Sequence, residues 1–411
     1  MPLSRRRFCS VATALAASRL LRAKGLLPAQ DLHPALPTSR PDVASIDQNR
    51  IIAAADRFLV QAPDPLTPHP APHTAGTPNE FVSELDQPPS TSPSTLPAPF
   101  PAHRDALLQF TLAVPALTAA WLLTHTSAPG TSAPGPSAPG SAERYAQHAV
   151  KHLHAWFIEP STRMEPSLNF AAITPGAGGH PDGIAETSSL AEVAQAIPFL
   201  ARSGALSPED LSALKAWFAA FLGWLTTARL AGLARDRKDH VGSSWLLQCA
   251  AYARLLADET ALADLRHRFK TVTLRAEILG DGSFPHELTT STPYRNSLFN
   301  LDLLAAACDL LSTRFESLWD YQLQDGPGVR VAIARHAPYI ENRGAWPYRA
   351  DPRLFNDLPC RRPALLFAAR AYQRPEYASL WRSLNPDPTD PAILRTFPIR
   401  QPVLWVTRPQ P

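Results

Sequence analysis

The sequence KDHVGSSWLLQ, at Lys238–Gln248, and the sequence DGSFPHELTTSTPYRNSLFNLD, at Asp281–Asp302, share one pattern. In each, a run of polar residues comes directly before a stretch that is apolar on nearly every side, which is typical of a helix buried inside a fold. Polar groups held at the ends of buried helices commonly line a cleft. The two segments therefore predict two inner helices whose starting ends carry a functional site.

Helical periodicity continues outward from both segments. Apolar stretches of helical length recur along the chain, while the alternation typical of strands is never sustained. Some stretches are apolar all round and others are amphipathic, as expected for helical hairpins with one inner and one outer helix. The sequence therefore predicts an all-α fold, an α/α toroid built as an incomplete barrel of antiparallel helical hairpins. The predicted helices are Ala106–Leu123, Glu143–Phe157, Ser189–Leu200, Pro208–Thr226, Ser244–Leu256, Glu259–Leu274, Ser297–Leu311, Val329–Tyr339, Pro363–Tyr372 and Pro375–Leu384.

Composition divides the chain into four parts. Residues 1–30 are a basic and then apolar leader, and residues 31–105 are a Pro-rich N-terminal segment and loop. Residues 106–385 are predicted to form the toroid, with a low-complexity loop at 126–141 that repeats Ser-Ala-Pro-Gly. Residues 386–411 are a Pro-rich C-terminal tail. Proline is concentrated at the two ends, which leaves the middle of the chain free to be helical.

The leader resembles a twin-arginine export signal. The basic run Ser4-Arg5-Arg6-Arg7-Phe8 is followed by the short apolar stretch Cys9–Ala17. The alternative interpretation is a basic N-terminal tail, since Arg19 and Arg22 interrupt the apolar run. Export would place the mature protein in the periplasm or outside the cell, and a periplasmic or secreted protein is what we expect.

Overall composition excludes several classes of protein. The chain has 411 residues, 45% of them hydrophobic and 18% charged, so it can bury a large core. Its net charge of +3, with Lys and Arg dispersed, argues against a nucleic-acid partner. Ala106–Leu123 carries no charge over eighteen residues, but its polar residues and Pro115 favour an inner helix over a membrane span. An odd number of cysteines follows the leader, so no disulfide framework is expected. The sequence does not determine the oligomeric state, and a monomer is expected.

The two opening segments, together with other stretches found in the same order, resemble the alginate lyase family of polysaccharide lyases. The resemblance covers most of the chain from about residue 45 onward. The matching stretches outside the two segments are LWDYQLQDGPGVR, His103–Thr124, Glu143–Asn169, Ser203–Thr227, Trp346–Tyr348 and Phe397–Val406.

The resemblance implies cleavage of a uronic-acid polysaccharide by β-elimination, without a cofactor or metal. The expected partner is an acidic polysaccharide or oligosaccharide. Three roles must be filled: one group neutralises the carboxylate, a base takes the proton beside it, and an acid gives a proton to the leaving oxygen. In the family, an Asn-Asn-His run, an Arg and a Tyr fill them.

The first segment leaves two alignments open. Without gaps, Asp239 and His240 stand where the family has two Asn, and Val241 stands where it has His. A slip of one residue places His240 on the family His and Asp239 on the second Asn, and it keeps an imidazole that can act as a base near neutral pH. We therefore predict His240 as base and Asp239 as a substrate contact.

The second segment departs from the family pattern. Thr290 stands where the resemblance places Arg, and Asn296 stands where it places the proton-donating Tyr; neither side chain can replace those roles. Tyr294 and Arg295 lie close by and could supply the missing phenol and guanidinium. We predict Tyr294 as acid and Arg295 with Asn296 as carboxylate and sugar contacts. The alternative is that Tyr294 packs in the core and Arg295 is solvated.

The remaining candidates are substrate contacts. The resemblance places Asn169 and Trp245 near the cleft, and His286 precedes the second inner helix. The spacing of Cys and His matches no metal site. Two other functions remain open: a lyase-like protein that binds acidic oligosaccharide without cleaving it, and a glycoside hydrolase, for which the segments offer only the carboxyls of Asp239 and Glu287.

Overall fold

The computed structural model describes residues 38–71, 76–85, 100–126, 141–174 and 178–407. The expected export leader at residues 1–30 lies outside the described residues, as does most of the low-complexity loop at 126–141. From Thr38 onward, the described residues belong to one compact unit.

The described chain is mostly helical. Two short strands, β1 (Val82–Glu84) and β2 (Phe170–Ile173), pair in parallel. In chain order the elements are α1 (Val43–Phe58), β1 (Val82–Glu84), α2 (Ala102–Thr126), α3 (Ser141–Phe157), β2 (Phe170–Ile173), α4 (Gly183–Glu186), α5 (Leu190–Arg202), α6 (Pro208–Thr227), α7 (Arg229–Arg235), α8 (His240–Leu256), α9 (Glu259–Arg268), α10 (Leu274–Glu277), α11 (Pro285–Leu288), α12 (Pro293–Leu311), α13 (Val329–Glu341), α14 (Pro363–Tyr372), α15 (Pro375–Ser383), α16 (Pro391–Arg395) and α17 (Val403–Val406).

The longer helices form an α/α toroid. In the described part of the chain, α2, α5, α8, α12 and α14 form an inner layer in which each helix packs against the next. The outer helices α3, α6, α9, α13 and α15 pack against these inner helices. The predicted fold class is therefore confirmed.

The inner helices α8 and α12 show why the sequence folds in this way. Nearly every residue of both helices is buried, which matches stretches that are apolar all round. The two helices pack against each other, so their starting ends at His240 and Pro293 belong to neighbouring elements. The predicted helix at Glu259–Leu274 is α9, which continues through the π-helical turn Phe269–Thr273 into α10.

The inner helix α2 is the one candidate for a membrane span among the described residues. It is long and apolar enough by length and composition, but 89% of its apolar window is buried inside the protein. This burial supports the predicted inner helix.

Helices also form near both ends of the described chain, in segments predicted only to be Pro-rich. α1 packs on α2, and α17 packs on α1, α2 and α5. Pro115 inside α2 cannot donate to the carbonyl of Thr111, and the guanidinium of Arg400 donates to that carbonyl instead, at 3.2 Å. Glu192 on α5 accepts the backbone N–H groups of Arg400 and Gln401. Residues near the C-terminus thus complete the hydrogen bonding of two inner helices.

Candidate active site

The first turn of α8 holds His240 in a fixed position. Asp239 is the N-cap, and its Oδ1 accepts the backbone N–H of Val241 at 3.1 Å. A Cβ at Gly242 would lie only 2.4 Å from the carbonyl oxygen of Arg237, so the turn into the helix is too tight for a larger residue. The local sequence therefore fixes the helix start at His240.

Glu287, at the end of the short helix α11, is the partner of His240. Its carboxylate accepts the backbone N–H of His240 at 2.5 Å and lies 3.0 and 3.1 Å from Nδ1 of the imidazole. Glu287 is fully buried, whereas the His240 side chain keeps 20% of its surface exposed. With Nδ1 held by the carboxylate, Nε2 is the ring nitrogen that can exchange a proton with a ligand.

Opposing effects act on the pKa of His240. Burial lowers the pKa, but the charge and hydrogen bonding of Glu287, with smaller contributions from Asp239 and Asp182, outweigh burial. The pKa of His240 therefore stands above its ordinary value. The ring of Phe299, with its centroid 5.5 Å from that of the imidazole, packs beside it from α12.

The surroundings of the two residues favour the slipped alignment of the first segment, in which His240 stands on the family His. Val241 is fully buried in the core, so the family His position cannot be served by its side chain. The His240 side chain, by contrast, is partly exposed.

Asp239 is occupied by structural contacts. Its Oδ1 caps α8, and its Oδ2 accepts a hydrogen bond from Nε of Arg237 at 3.0 Å. The carboxylate is nearly buried. Arg237 also lies 3.3 Å from Asp182. These contacts do not suit the predicted direct contact of Asp239 with substrate, while the guanidinium of Arg237 remains partly exposed. The carboxyls of Asp239 and Glu287 both bond to the start of α8, an arrangement that does not suit the paired carboxylates of a glycoside hydrolase.

The loop between α11 and α12 carries the next polar groups. Thr290 Oγ1 donates to the carbonyl of Glu287 at 2.7 Å and accepts from the amide of Asn296 at 3.2 Å. The hydroxyl of Thr292 donates to Asn296 Oδ1 at 3.1 Å. The side chain of Asn296 is therefore hydrogen-bonded to both Thr290 and Thr292.

Two guanidiniums reach this loop. Arg349 donates to the backbone carbonyl of Thr290 at 2.6 Å, and its side chain is exposed. Arg295 lies 3.4 Å from the hydroxyl of Thr292. Positive charge is thus present where the resemblance had placed a family Arg, although Thr290 itself is neutral.

No described contact joins Tyr294 to His240. Its ring packs against Trp346 and Phe355, and its hydroxyl donates to the carbonyl of Tyr339 at 2.9 Å. The side chain is fully buried, and burial raises the pKa of its phenol above the ordinary value. This environment matches the packing alternative for Tyr294 and does not suit the predicted acid.

The three remaining predicted contacts lie in different surroundings. Trp245 is buried, and its indole donates to the carbonyl of Leu225 at 2.8 Å, so it serves the core. Asn169 is exposed, accepts the indole N–H of Trp224 at 3.2 Å and donates to Ser167. His286 is exposed beside Glu287. Of the three, only His286 adjoins the imidazole–carboxylate pair in the chain.

A second buried carboxyl lies under the first turn of α8. Glu277, the last residue of α10, accepts the hydroxyl of Ser243 at 2.5 Å. Burial raises its pKa to about 8, although the Ser243 hydrogen bond lowers it. Among the described residues, no group of three or more His, Cys, Asp and Glu side chains is arranged to hold a metal ion.

Comparisons with known proteins agree with this architecture. The sequence model of one family, described as Alginate lyase, matches residues 139–346, which include both opening segments. No curated protein matches the chain in sequence.

Two solved structures share the fold. A crystal structure of an alginate lyase from Bacteroides ovatus is 20% identical, with a TM-score of 0.73 over 97% of this chain and 98% of that one. Alginate lyase A1-III from Sphingomonas species A1 is 16% identical, with a TM-score of 0.51 over 92% of this chain and 99% of that one.

Proposed function

Because the chain belongs to the alginate lyase family, we propose that it cleaves an alginate-like uronic-acid polysaccharide by metal-independent β-elimination. The observation that carries this proposal is the pair of His240 and Glu287 at the start of α8. A buried carboxylate on Nδ1 orients the imidazole and stabilises the cation that forms when Nε2 takes a proton.

In the proposed reaction, Nε2 of His240 removes the proton beside the sugar carboxylate. The electrons left behind form a double bond to the neighbouring carbon as the glycosidic carbon–oxygen bond breaks. The imidazolium then gives its proton to the leaving oxygen when that oxygen lies on the same face of the ring. One residue can thus fill the roles of base and acid, and the buried Tyr294 is not needed.

Arg349 and Arg295 supply the charge that the reaction requires. Both guanidiniums reach the loop after Glu287 through Thr290 and Thr292. A guanidinium near the sugar carboxylate favours removal of the adjacent proton, since it stabilises the negative charge that develops. Asn296, held between the same two threonines, is the proposed sugar contact.

The alternative is a protein that binds acidic oligosaccharide without cleaving it. Two observations favour it: Thr290 and Asn296 replace the Arg and Tyr of the family pattern, and the hydroxyl of Tyr294 donates to a backbone carbonyl. In this case Arg349 and Arg295 would still hold the ligand.

Two measurements on purified protein separate these functions. Incubation with alginate, polyglucuronate and related uronic polymers should produce the ultraviolet absorbance of the unsaturated sugar, with a neutral glucan as the control polymer. Binding is measured in parallel by calorimetry with short oligosaccharides of the same polymers. Binding without new absorbance on any uronic polymer would reject the lyase and support the alternative.

We also propose that the protein is exported and acts in the periplasm or outside the cell. The Ser4–Phe8 basic run and the apolar stretch after it support this proposal. Fusion of residues 1–30 to a reporter protein tests the proposal. Export of the fusion that is lost when Arg5 and Arg6 are replaced by Lys would support it. Retention of the unmutated fusion in the cytoplasm would contradict it.

A further inference from the structure

Glu277 is a buried carboxyl that the proposed reaction does not use. It is 2% exposed and lies beneath the first turn of α8, where its Oε2 accepts the hydroxyl of Ser243 at 2.5 Å. Its Oε1 would lie 3.4 Å from a Cβ at Gly242. The carboxyl therefore touches the same helix turn that carries His240.

Burial and the neighbouring carboxylates favour the neutral form of Glu277, against the hydrogen bonds that it accepts. Ser243 faces it from α8 and the amide of Asn300 from α12, while the charged groups nearby are the carboxylates Glu287 and Asp239. A carboxylate buried among other carboxylates is costly, so the group keeps its proton at neutral pH. The raised pKa of about 8, caused by burial, agrees with this geometry.

Resting on the proposed lyase function, we propose that Glu277 is a positioning residue: as a neutral acid it holds the first turn of α8 through Ser243, and on losing its proton it makes His240 hold its own proton more tightly. The reason is electrostatic. Ionised Glu277 adds a further negative charge to a cluster that contains Glu287, Asp239 and the guanidinium of Arg237 bound to Asp239, and this charge stabilises the imidazolium.

The expected signature is a titration of His240 that is wider than that of a single group. Where the ionisation of Glu277 overlaps the imidazole titration, the last part of that titration is delayed. A purely structural role for Glu277 would leave the shape of this curve unchanged.

The test is an NMR titration of the His240 imidazole in the full chain, with His240→Gln used to assign the signal. In Glu277→Gln the curve should narrow to that of one proton, and its upper half should move to lower pH by about one unit. Glu143→Gln, an exposed site on α3, is the matched control and should titrate like the wild type.

Ser243→Ala provides a second variant that does not depend on the folding of Glu277→Gln. Without the serine donor, Glu277 keeps its proton to higher pH, so the delayed part of the His240 curve should move upward in pH. Curves that superimpose for wild type, Glu277→Gln and Ser243→Ala would overturn the proposal. Because the titration requires no turnover, it can succeed or fail independently of lyase activity.

Discussion

Replacing Glu287 by Gln tests the imidazole–carboxylate pair through protein stability. In the native protein this carboxylate accepts the backbone N–H of His240 at 2.5 Å and contacts its Nδ1 at 3.0 Å. Hydrogen bonds to a charged acceptor contribute about 1.5–3 kcal/mol. A carboxylate at a helix start adds up to about 2 kcal/mol in partly buried sites. Since Gln retains one acceptor oxygen, Glu287→Gln should lower the free energy of unfolding by about 2–4 kcal/mol while His240 is charged.

The effect should depend on pH in a defined direction. The pKa of His240 is raised in the folded protein, so the stability it contributes is fully present below its unfolded value and is lost as pH rises through the folded pKa. The difference between wild type and Glu287→Gln should therefore be largest near about pH 6 and smaller near about pH 9. Removal of the Glu287 charge also lowers the pKa of His240, so the acid limb of kcat/KM should move to lower pH.

Urea unfolding followed by circular dichroism, at both pH values, measures this difference. Glu143→Gln, at an exposed site, is the control and should leave the free energy of unfolding within about 0.5 kcal/mol of wild type. If Glu287→Gln lowers the free energy of unfolding equally at both pH values, the idea of a charged pair of His240 and Glu287 is refuted. A variant as stable as the wild type at the lower pH would refute it as well.

Three further substitutions distinguish residues of the proposed site from residues that only stabilise the fold. Tyr294→Phe should cost about 1–2 kcal/mol in urea unfolding because the carbonyl of Tyr339 loses its donor, and kcat/KM should stay within about twofold; a collapse of kcat would restore Tyr294 as the acid. Arg349→Gln should raise KM for uronic polymers about tenfold with little effect on unfolding, and unchanged KM would remove Arg349 from the site. Gly242→Ala should lower stability by about 2 kcal/mol or more in thermal unfolding, because its Cβ would meet the carbonyl of Arg237 at 2.4 Å; a neutral effect would contradict the tight turn.

The inner helices were predictable because their own residues carry the signal. α8 and α12 are apolar on nearly every side, and burial on every side is what the structure gives them. α1 and α17 were missed because they lie in Pro-rich segments. Their burial depends on contacts made far away in the chain, since α1 packs on α2, and α17 packs on α1, α2 and α5.

The site was predictable only in part. His240 follows from the residue type and its place at a helix start, but its partner Glu287 is 47 residues further along the chain, so sequence order alone does not show their contact. Tyr294, Arg295 and Asn296 are consecutive on a helix, where each residue turns by about 100° from the last. They must therefore point in different directions. Sequence cannot show that the Tyr294 ring turns into the core while Asn296 meets Thr290.

The central claim is that His240 removes a proton from a uronic sugar, and replacement of His240 by Gln tests it most directly. The rate at which a cleavable uronic polymer gives the absorbance of the unsaturated product should fall by about 10²–10⁴ in His240→Gln, with the circular dichroism of the folded protein unchanged. A His240→Gln protein that forms this product at the wild-type rate would contradict the claim.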